Sequence, residues 1–97
     1  MAIVRLIFVA VKPEEGAAAE RLWKEECAPL MIRQQGCLSE ELLKSMEVEG
    51  EYISYSVWES QEAIDRYRES DAHEEIKRHG ARLKTAQAPV VKEYTLV

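Results

Sequence analysis

The hydrophobic pattern of the chain begins with an unbroken apolar run and then changes to helical spacing. Residues 3–11 are apolar and largely β-branched except for Arg5, which predicts a strand. From residue 14 to 35 the apolar positions share one side of a helix, and most charged residues face away. Pro29 lies inside this segment and cannot donate a backbone hydrogen bond. We therefore expect it to kink the helix or to begin a second helical segment.

The remaining pattern predicts a hairpin, two short helices and a last strand. Gly36 ends the long helix, and Ser60 suits the start of the next one. Strands are predicted at residues 37–48, 52–58 and 90–97, and helices at residues 61–68 and from 72 to about 84. The order β-α-β-β-α-β predicts an α+β fold, a ferredoxin-like antiparallel sheet, in a single domain of residues 1–97.

The first strand also predicts an assembly. In an antiparallel sheet with one solvated face, apolar and polar positions alternate, but here apolar side chains point to both sides. Two helices can cover only one face. The simplest cover for the other face is the same face of a second copy, so we expect a homodimer.

The amino-acid composition argues against several kinds of binding partner. The chain has 18 acidic and 13 basic residues and a net charge of −5, which argues against nucleic acid. Its longest apolar run, Leu6 to Val11, is far shorter than the ~20 residues of a membrane span. The N-terminus lacks a signal-peptide pattern, which predicts a cytoplasmic protein that does not bind membranes. Cys27 and Cys37 match no zinc or redox spacing, so we expect two buried, reduced thiols.

The usual catalytic motifs are absent from the sequence. There is no glycine-rich phosphate loop, no Gly-x-Ser-x-Gly and no His-Glu-x-x-His. His73 and His79 are ~120° apart on a helix, a poor geometry for one metal ion, so no metal site is expected. The paired acids are interpreted as solvated faces: Glu14-Glu15, Glu25-Glu26, Glu40-Glu41 and Glu74-Glu75.

His73 is the candidate for chemistry. The apolar stripe of the last helix is Ala72, Ile76 and Leu83, and His73 and His79 flank it on opposite sides. His73 is either a half-exposed boundary residue or an acid, base or hydrogen-bond donor in a pocket.

Three further residues belong to the same region. Trp58 and Tyr67 would bracket His73, either as core residues or as pocket walls. Arg5 either extends to the rim of the sheet or places a cation inside a cavity. The sequence leaves both pairs of alternatives open.

Several segments resemble the antibiotic biosynthesis monooxygenase family. The second half of such domains is similar to Trp58-Glu59-Ser60-Gln61-Glu62-Ala63, Tyr67 and Ser70-Asp71-Ala72-His73, and the first half to Lys12-Pro13-Glu14 and Gly36-Cys37. The resemblance covers nearly the whole chain. It implies a dimeric α+β barrel with a pocket between sheet and helices, lined by Trp58, Tyr67 and His73. Some members oxidise quinols or polycyclic phenols with O₂ and no metal or flavin, so no cofactor is expected.

A haem-degrading branch of the same superfamily uses an asparagine, a tryptophan and a histidine. By the resemblance these positions fall on Ile7, Tyr67 and Lys77, and none of the three residues is retained.

The residues and the resemblance together leave two candidate functions of different class. The first is a cofactor-independent monooxygenase for a small aromatic phenol or quinol, with His73 as base and Trp58, Tyr67 and Arg5 binding the substrate. The second is a non-catalytic, dimeric small-molecule-binding or stress-linked barrel.

Overall fold

Four antiparallel strands form one sheet in the computed structural model, which describes residues 2–82 and 88–97. The strands are β1 (Ile3–Ala10), β2 (Cys37–Lys44), β3 (Glu51–Trp58) and β4 (Val90–Thr95), in the order β2-β3-β1-β4. The helices are α1 (Gly16–Leu22), α2 (Ala28–Ile32), α3 (Gln61–Arg68) and α4 (Asp71–Gly80). The predicted α+β, ferredoxin-like fold is confirmed. The predicted single domain, 1–97, stays a prediction.

The first helical layer changes its winding just before Pro29, as the sequence predicts. A 3₁₀ turn at Pro13–Glu15 leads into α1, and a π turn at Trp23–Cys27 separates α1 from α2. In this turn the Ala28 backbone N–H donates to the Trp23 carbonyl, five residues back. Pro29 has no N–H to continue an α-helical pattern, so the wider turn lies where an α-helix would be interrupted anyway.

The hairpin connection is longer than predicted, because β2 ends at Lys44 and not near residue 48. The Ser45 hydroxyl accepts hydrogen bonds from the backbone N–H groups of Glu47 and Val48, which favours a turn over a strand. Gly50 then has φ +88°, and its carbonyl accepts from the Val11 backbone N–H at 2.8 Å. A Cβ at Gly50 would overlap the Val11 carbonyl oxygen, so glycine is required there.

The last helix, α4, begins at a serine cap. The Ser70 hydroxyl accepts from the His73 backbone N–H at 3.2 Å, and the helix ends at Gly80. The continuation to about Lys84, and with it the position of Leu83, lies outside the described residues. Within the described ranges, no helix combines the length and the hydropathy that crossing a membrane requires.

The helices cover one face of the sheet, called here the covered face. Its core is a cluster of Met31, Trp58, Ala63, Ile64 and Tyr67, with a second cluster of Val11, Ala19 and Tyr52. The other face, called the open face, carries the cross-strand pairs Val4–Val57, Leu6–Tyr55 and Phe8–Ile53. No element among the described residues covers the open face. The expected second copy remains a prediction.

Candidate functional site

A cavity of about 680 Å³ lies between the covered face and the helices. This volume falls within the range of about 300–1,000 Å³ that is typical of small-molecule sites. The walls are mostly apolar and include Ile7, Val9, Leu22, Trp23, Met31, Leu42 and Ile76. Arg5, Ser54, Tyr67, His73 and Lys77 also line the cavity. The arrangement is that of an apolar ligand site with a few polar groups.

An aromatic stack connects three of the predicted site residues. The Tyr67 ring centroid lies 5.0 Å from that of Trp58 and 5.0 Å from that of His73, which meets it edge-on at 73°. Trp58 is fully buried, and its indole N–H donates to the Ser56 hydroxyl at 2.9 Å. Trp58 therefore lies behind Tyr67 and not on the cavity wall. Trp58 is not among the residues that line the cavity, because Met31, Ala63, Ile64 and Tyr67 pack around it.

His73 lies on the cavity wall in the first turn of α4. Burial lowers its pKa below the ordinary 6.5, and the nearby cations Arg5 and Lys77 lower it further, while the Arg68 backbone raises it by a smaller amount. The imidazole is therefore neutral near pH 7. Its Nδ1 atom is buried and has no hydrogen-bond partner in the part of the chain that the structure describes. A neutral imidazole with an unpartnered nitrogen can take a proton from a bound molecule.

Arg5 places a cation inside the cavity, which decides between the two alternatives left by the sequence. The residue is only 5% exposed, in the middle of β1. Its Nε lies 3.4 Å from the carboxylate of Glu93, its cross-strand neighbour on β4. The guanidinium carbon is 5.9 Å from the Tyr67 ring centre, within the range of a cation–π contact.

The sequence interpretation missed Glu40. A β-bulge between Cys37 and Ser39 shifts the alternation of β2 by one residue, which turns Glu40 towards the covered face. The Ser54 hydroxyl donates to Glu40 Oε1 at 3.1 Å, and burial raises the pKa of this carboxyl to about 8. The solvated-face interpretation is therefore wrong for Glu40. The available signal was Ser54, a polar residue at an inward position of β3.

Trp23 lines the cavity from the π turn, a role that the helical pattern of residues 14–35 does not indicate. Its indole N–H is buried without a partner. Within the described ranges, the buried polar side-chain atoms that make no hydrogen bond are Arg5 Nε, Trp23 Nε1, Glu40 Oε2 and His73 Nδ1, of which Arg5 Nε has only the ion pair with Glu93. Three of the four belong to residues on the cavity wall. Buried polar groups normally have partners, so this clustering marks a ligand site.

His79 and Cys37 do not line the cavity, whereas Cys27 is on its wall. His79 ring nitrogens are 3.7 Å from the carboxylates of Glu26 and Glu75, on the outer side of the helices. Cys27 and Cys37 are free thiols, and burial raises the pKa of each to about 11. Among the described residues no group of three or more histidine, cysteine or acidic side chains could hold a metal ion.

The family follows from comparison with known proteins. The profile of the antibiotic biosynthesis monooxygenase family matches residues 2–79, and the chain therefore belongs to this family. The resemblance noted from the sequence is confirmed. A comparison with functionally curated proteins finds no match.

Solved structures agree on the fold. A candidate antibiotic biosynthesis monooxygenase from Bordetella bronchiseptica is similar with a TM-score of 0.88 and 24% identity, over 99% of this chain and 97% of that one. One from Caulobacter crescentus gives a TM-score of 0.85 and 23% identity, over 99% and 90%. A conserved protein from Methanosarcina mazei gives 0.85 and 19%, over 97% and 91%. At these identities the likeness establishes the fold alone.

Proposed function

We propose that the protein is a cofactor-independent monooxygenase that oxidises a phenol- or quinol-type aromatic molecule in the cavity. The observation that carries the proposal is His73, a neutral imidazole with a buried, unpartnered nitrogen in an apolar wall. Family membership supports the reaction class. The mostly apolar walls matter, because they limit the access of water to the proton transfer, and the lowered pKa keeps His73 in the neutral form that accepts a proton.

The reaction needs one strong electron donor, and a phenolate is such a donor. His73 takes the proton of the phenol, and the resulting anion transfers an electron to O₂. The two radicals then combine at the ring carbon para to the oxygen, giving a hydroperoxide. Loss of water from this hydroperoxide leaves a quinone. Phenol and O₂ thus give quinone and water: one oxygen atom enters the ring, and the other leaves with two hydrogens.

The other residues of the cavity have supporting roles. Arg5 stabilises the negative charge that appears when His73 removes the proton, since both side chains contact the same Tyr67 ring. Tyr67 gives the aromatic substrate a flat wall. Trp58 contacts no substrate but holds Tyr67 in place from behind.

Oxygen consumption tests the proposal. The purified protein is mixed with a panel of anthrones and hydroquinones in an oxygen electrode, and products from ¹⁸O₂ are analysed by mass spectrometry. We expect oxygen uptake above the uncatalysed rate and, with the anthrones, one ¹⁸O atom in the quinone. Binding of these compounds without any uptake would contradict the proposal and would favour the non-catalytic binding protein.

A further inference from the structure

We infer that the molecule bound in this cavity is an aromatic acid whose carboxylate is bound by Arg5. The inference rests on the proposed function for the phenolic part of the ligand. The carboxylate is an addition to it, and it follows from the charge and the free donors of the cavity wall. The substrate class is then a hydroxylated aromatic acid, not a neutral phenol.

The charge of the cavity is opposite to that of the whole protein. The chain carries a net charge of −5, yet the described residues that line the cavity include Arg5 and Lys77 and no aspartate or glutamate. Glu93 lies on the partly exposed edge strand β4. Glu40 lies behind Ser54, and its raised pKa of about 8 keeps it protonated at pH 7. Both cations have carboxylate partners outside the wall, Glu93 and Glu74, so an anion entering the cavity meets the N–H donors of two ion pairs and no carboxylate among the described residues of the wall.

Arg5 has the geometry to bind a carboxylate. It is more than nine-tenths buried, and its one ion pair within the described ranges uses Nε, at 3.4 Å from Glu93. The two terminal amino groups of the guanidinium remain for the cavity. Their parallel N–H bonds match the two oxygens of a carboxylate, a pairing stronger than bonds between neutral groups. Lys77 is more exposed and paired with Glu74 at 2.9 Å, so it adds attraction at the mouth.

Trp23 and His73 complete the recognition of such a ligand. The buried indole N–H of Trp23 is a donor on the helix side, suited to a carbonyl or hydroxyl oxygen. His73 Nδ1 faces a hydroxyl to be deprotonated. A rigid molecule with a carboxylate near Arg5 and ring oxygens near Trp23 and His73 would satisfy all three groups.

Two commercial anthraquinones give a matched test by binding alone. Rhein and aloe-emodin share the 1,8-dihydroxyanthraquinone ring system and differ at one carbon, where rhein has a carboxylate and aloe-emodin a hydroxymethyl group. Titration calorimetry and tryptophan fluorescence quenching at pH 7 measure both affinities. We expect rhein to bind about tenfold more tightly or better in the wild type. In Arg5→Met the preference should fall to about twofold or less.

Control variants separate the effect of the two parallel N–H bonds of the Arg5 guanidinium from the effect of its positive charge. Arg82→Gln removes the same charge from an exposed ion pair with Glu26 and should keep the preference. Arg5→Lys keeps the positive charge but lacks the paired N–H bonds of a guanidinium, and it should lose most of the preference for rhein over aloe-emodin. If Arg5→Met does not fold, Arg5→Lys and rhein methyl ester give the same comparison. Equal affinity for the two compounds, or a preference that survives in Arg5→Lys and Arg5→Met, would overturn the inference.

The test does not depend on turnover. Arg5-dependent rhein binding, together with no oxygen uptake on any anthrone of the panel, would contradict the proposed reaction and leave the ligand class standing. Oxygen uptake on neutral anthrones with no preference for the acid would contradict the ligand class and leave the reaction standing.

Discussion

The covered face of the sheet contains Arg5, Glu40, Ser54 and Ser56, whereas the open face presents Val4, Leu6, Phe8, Ile53 and Val57. A sheet with helices on one side usually has the reverse distribution, with apolar residues beneath the helices and polar ones outside. Here the covered face combines these polar groups with apolar residues such as Val9 and Trp58. Ser54 and Ser56 have hydrogen-bond partners within the protein, whereas no partner is found for Trp23 Nε1 and His73 Nδ1 in the described residues, which leaves them for a ligand. Apolar groups outside are tolerated only if another surface covers them. The two faces therefore indicate binding on one side and association on the other.

The largest expected effect is on the covered face, at His73. If the proposed activity is found, His73→Ala should reduce kcat by roughly 10²–10⁴-fold, since proton transfer loses its base. His79→Ala is the matched control, because His79 lies among Glu26, Glu75 and Arg82 outside the cavity. Steady-state oxygen uptake on one anthrone measures both. Similar kcat values for wild type and His73→Ala would show that His73 is a half-exposed boundary residue and not the base of the reaction.

The next effect belongs to the open face. We predict a dimer at micromolar concentration, and Phe8→Glu should raise its dissociation constant by about 10²-fold or more, because the new carboxylate would be buried without a partner. Light scattering across a dilution series measures the mass, and Arg66→Glu on the exposed side of α3 should leave it unchanged. A wild-type mass of about 11.1 kDa throughout would contradict the prediction.

Glu40 should give a smaller effect, on stability. Its pKa is about 8 in the folded protein, against an ordinary value of 4.5. The folded state therefore keeps a proton that the unfolded state releases, and the free energy of unfolding falls as pH rises from about 4.5 to about 8. Glu40→Gln keeps an acceptor for Ser54 and should remove this decline, a gain on the order of 1–3 kcal/mol at pH 8.

Urea unfolding at pH 5 and pH 8.5, at one protein concentration, checks this prediction. Glu41→Gln is the control, because Glu41 points to the other side of β2 and is exposed. An unchanged pH dependence in Glu40→Gln would show that the carboxyl titrates normally.

The smallest expected effect is on stability, when one hydroxyl is removed from each face of the sheet. Ser56→Ala leaves the buried indole N–H of Trp58 without its acceptor and should destabilise the protein by about 1–2 kcal/mol. Tyr55→Phe removes a hydroxyl from the open face and should change stability by less than about 0.5 kcal/mol. Thermal unfolding of both variants measures the difference. Equal losses would mean that the two faces are not distinct in this respect.

The sequence predicts the fold well because each element carries its own local signal. Pro29, Gly36 and Ser60 act on the backbone next to them, so their effects are visible without the rest of the chain. The end of β2 was less predictable, since Ser45 bonds to the backbone of its own turn and ends the strand early.

The site was predicted only in part, because its composition depends on distant residues. His73 could be assigned to the edge of an apolar stripe, which is a property of one helix. Trp58 and Trp23 carry the same apolar signal in the sequence, yet only Trp23 reaches the cavity. Glu40 points inward because of a bulge, and a bulge has no reliable sequence pattern.

The π turn at Trp23–Cys27 has a consequence for how this binding site can change over time. In an α-helix, side chains four residues apart drift by ~40° around the axis, but the wider turn cancels much of this drift. Trp23, Cys27 and Met31 can therefore all line the cavity. The wider turn holds one residue more than an α-helical turn over about the same rotation, so deleting one residue here would restore a regular helix and leave the segments before and after it facing as they do now. The chain can therefore gain or lose a residue at this place while the cavity walls on either side keep their positions.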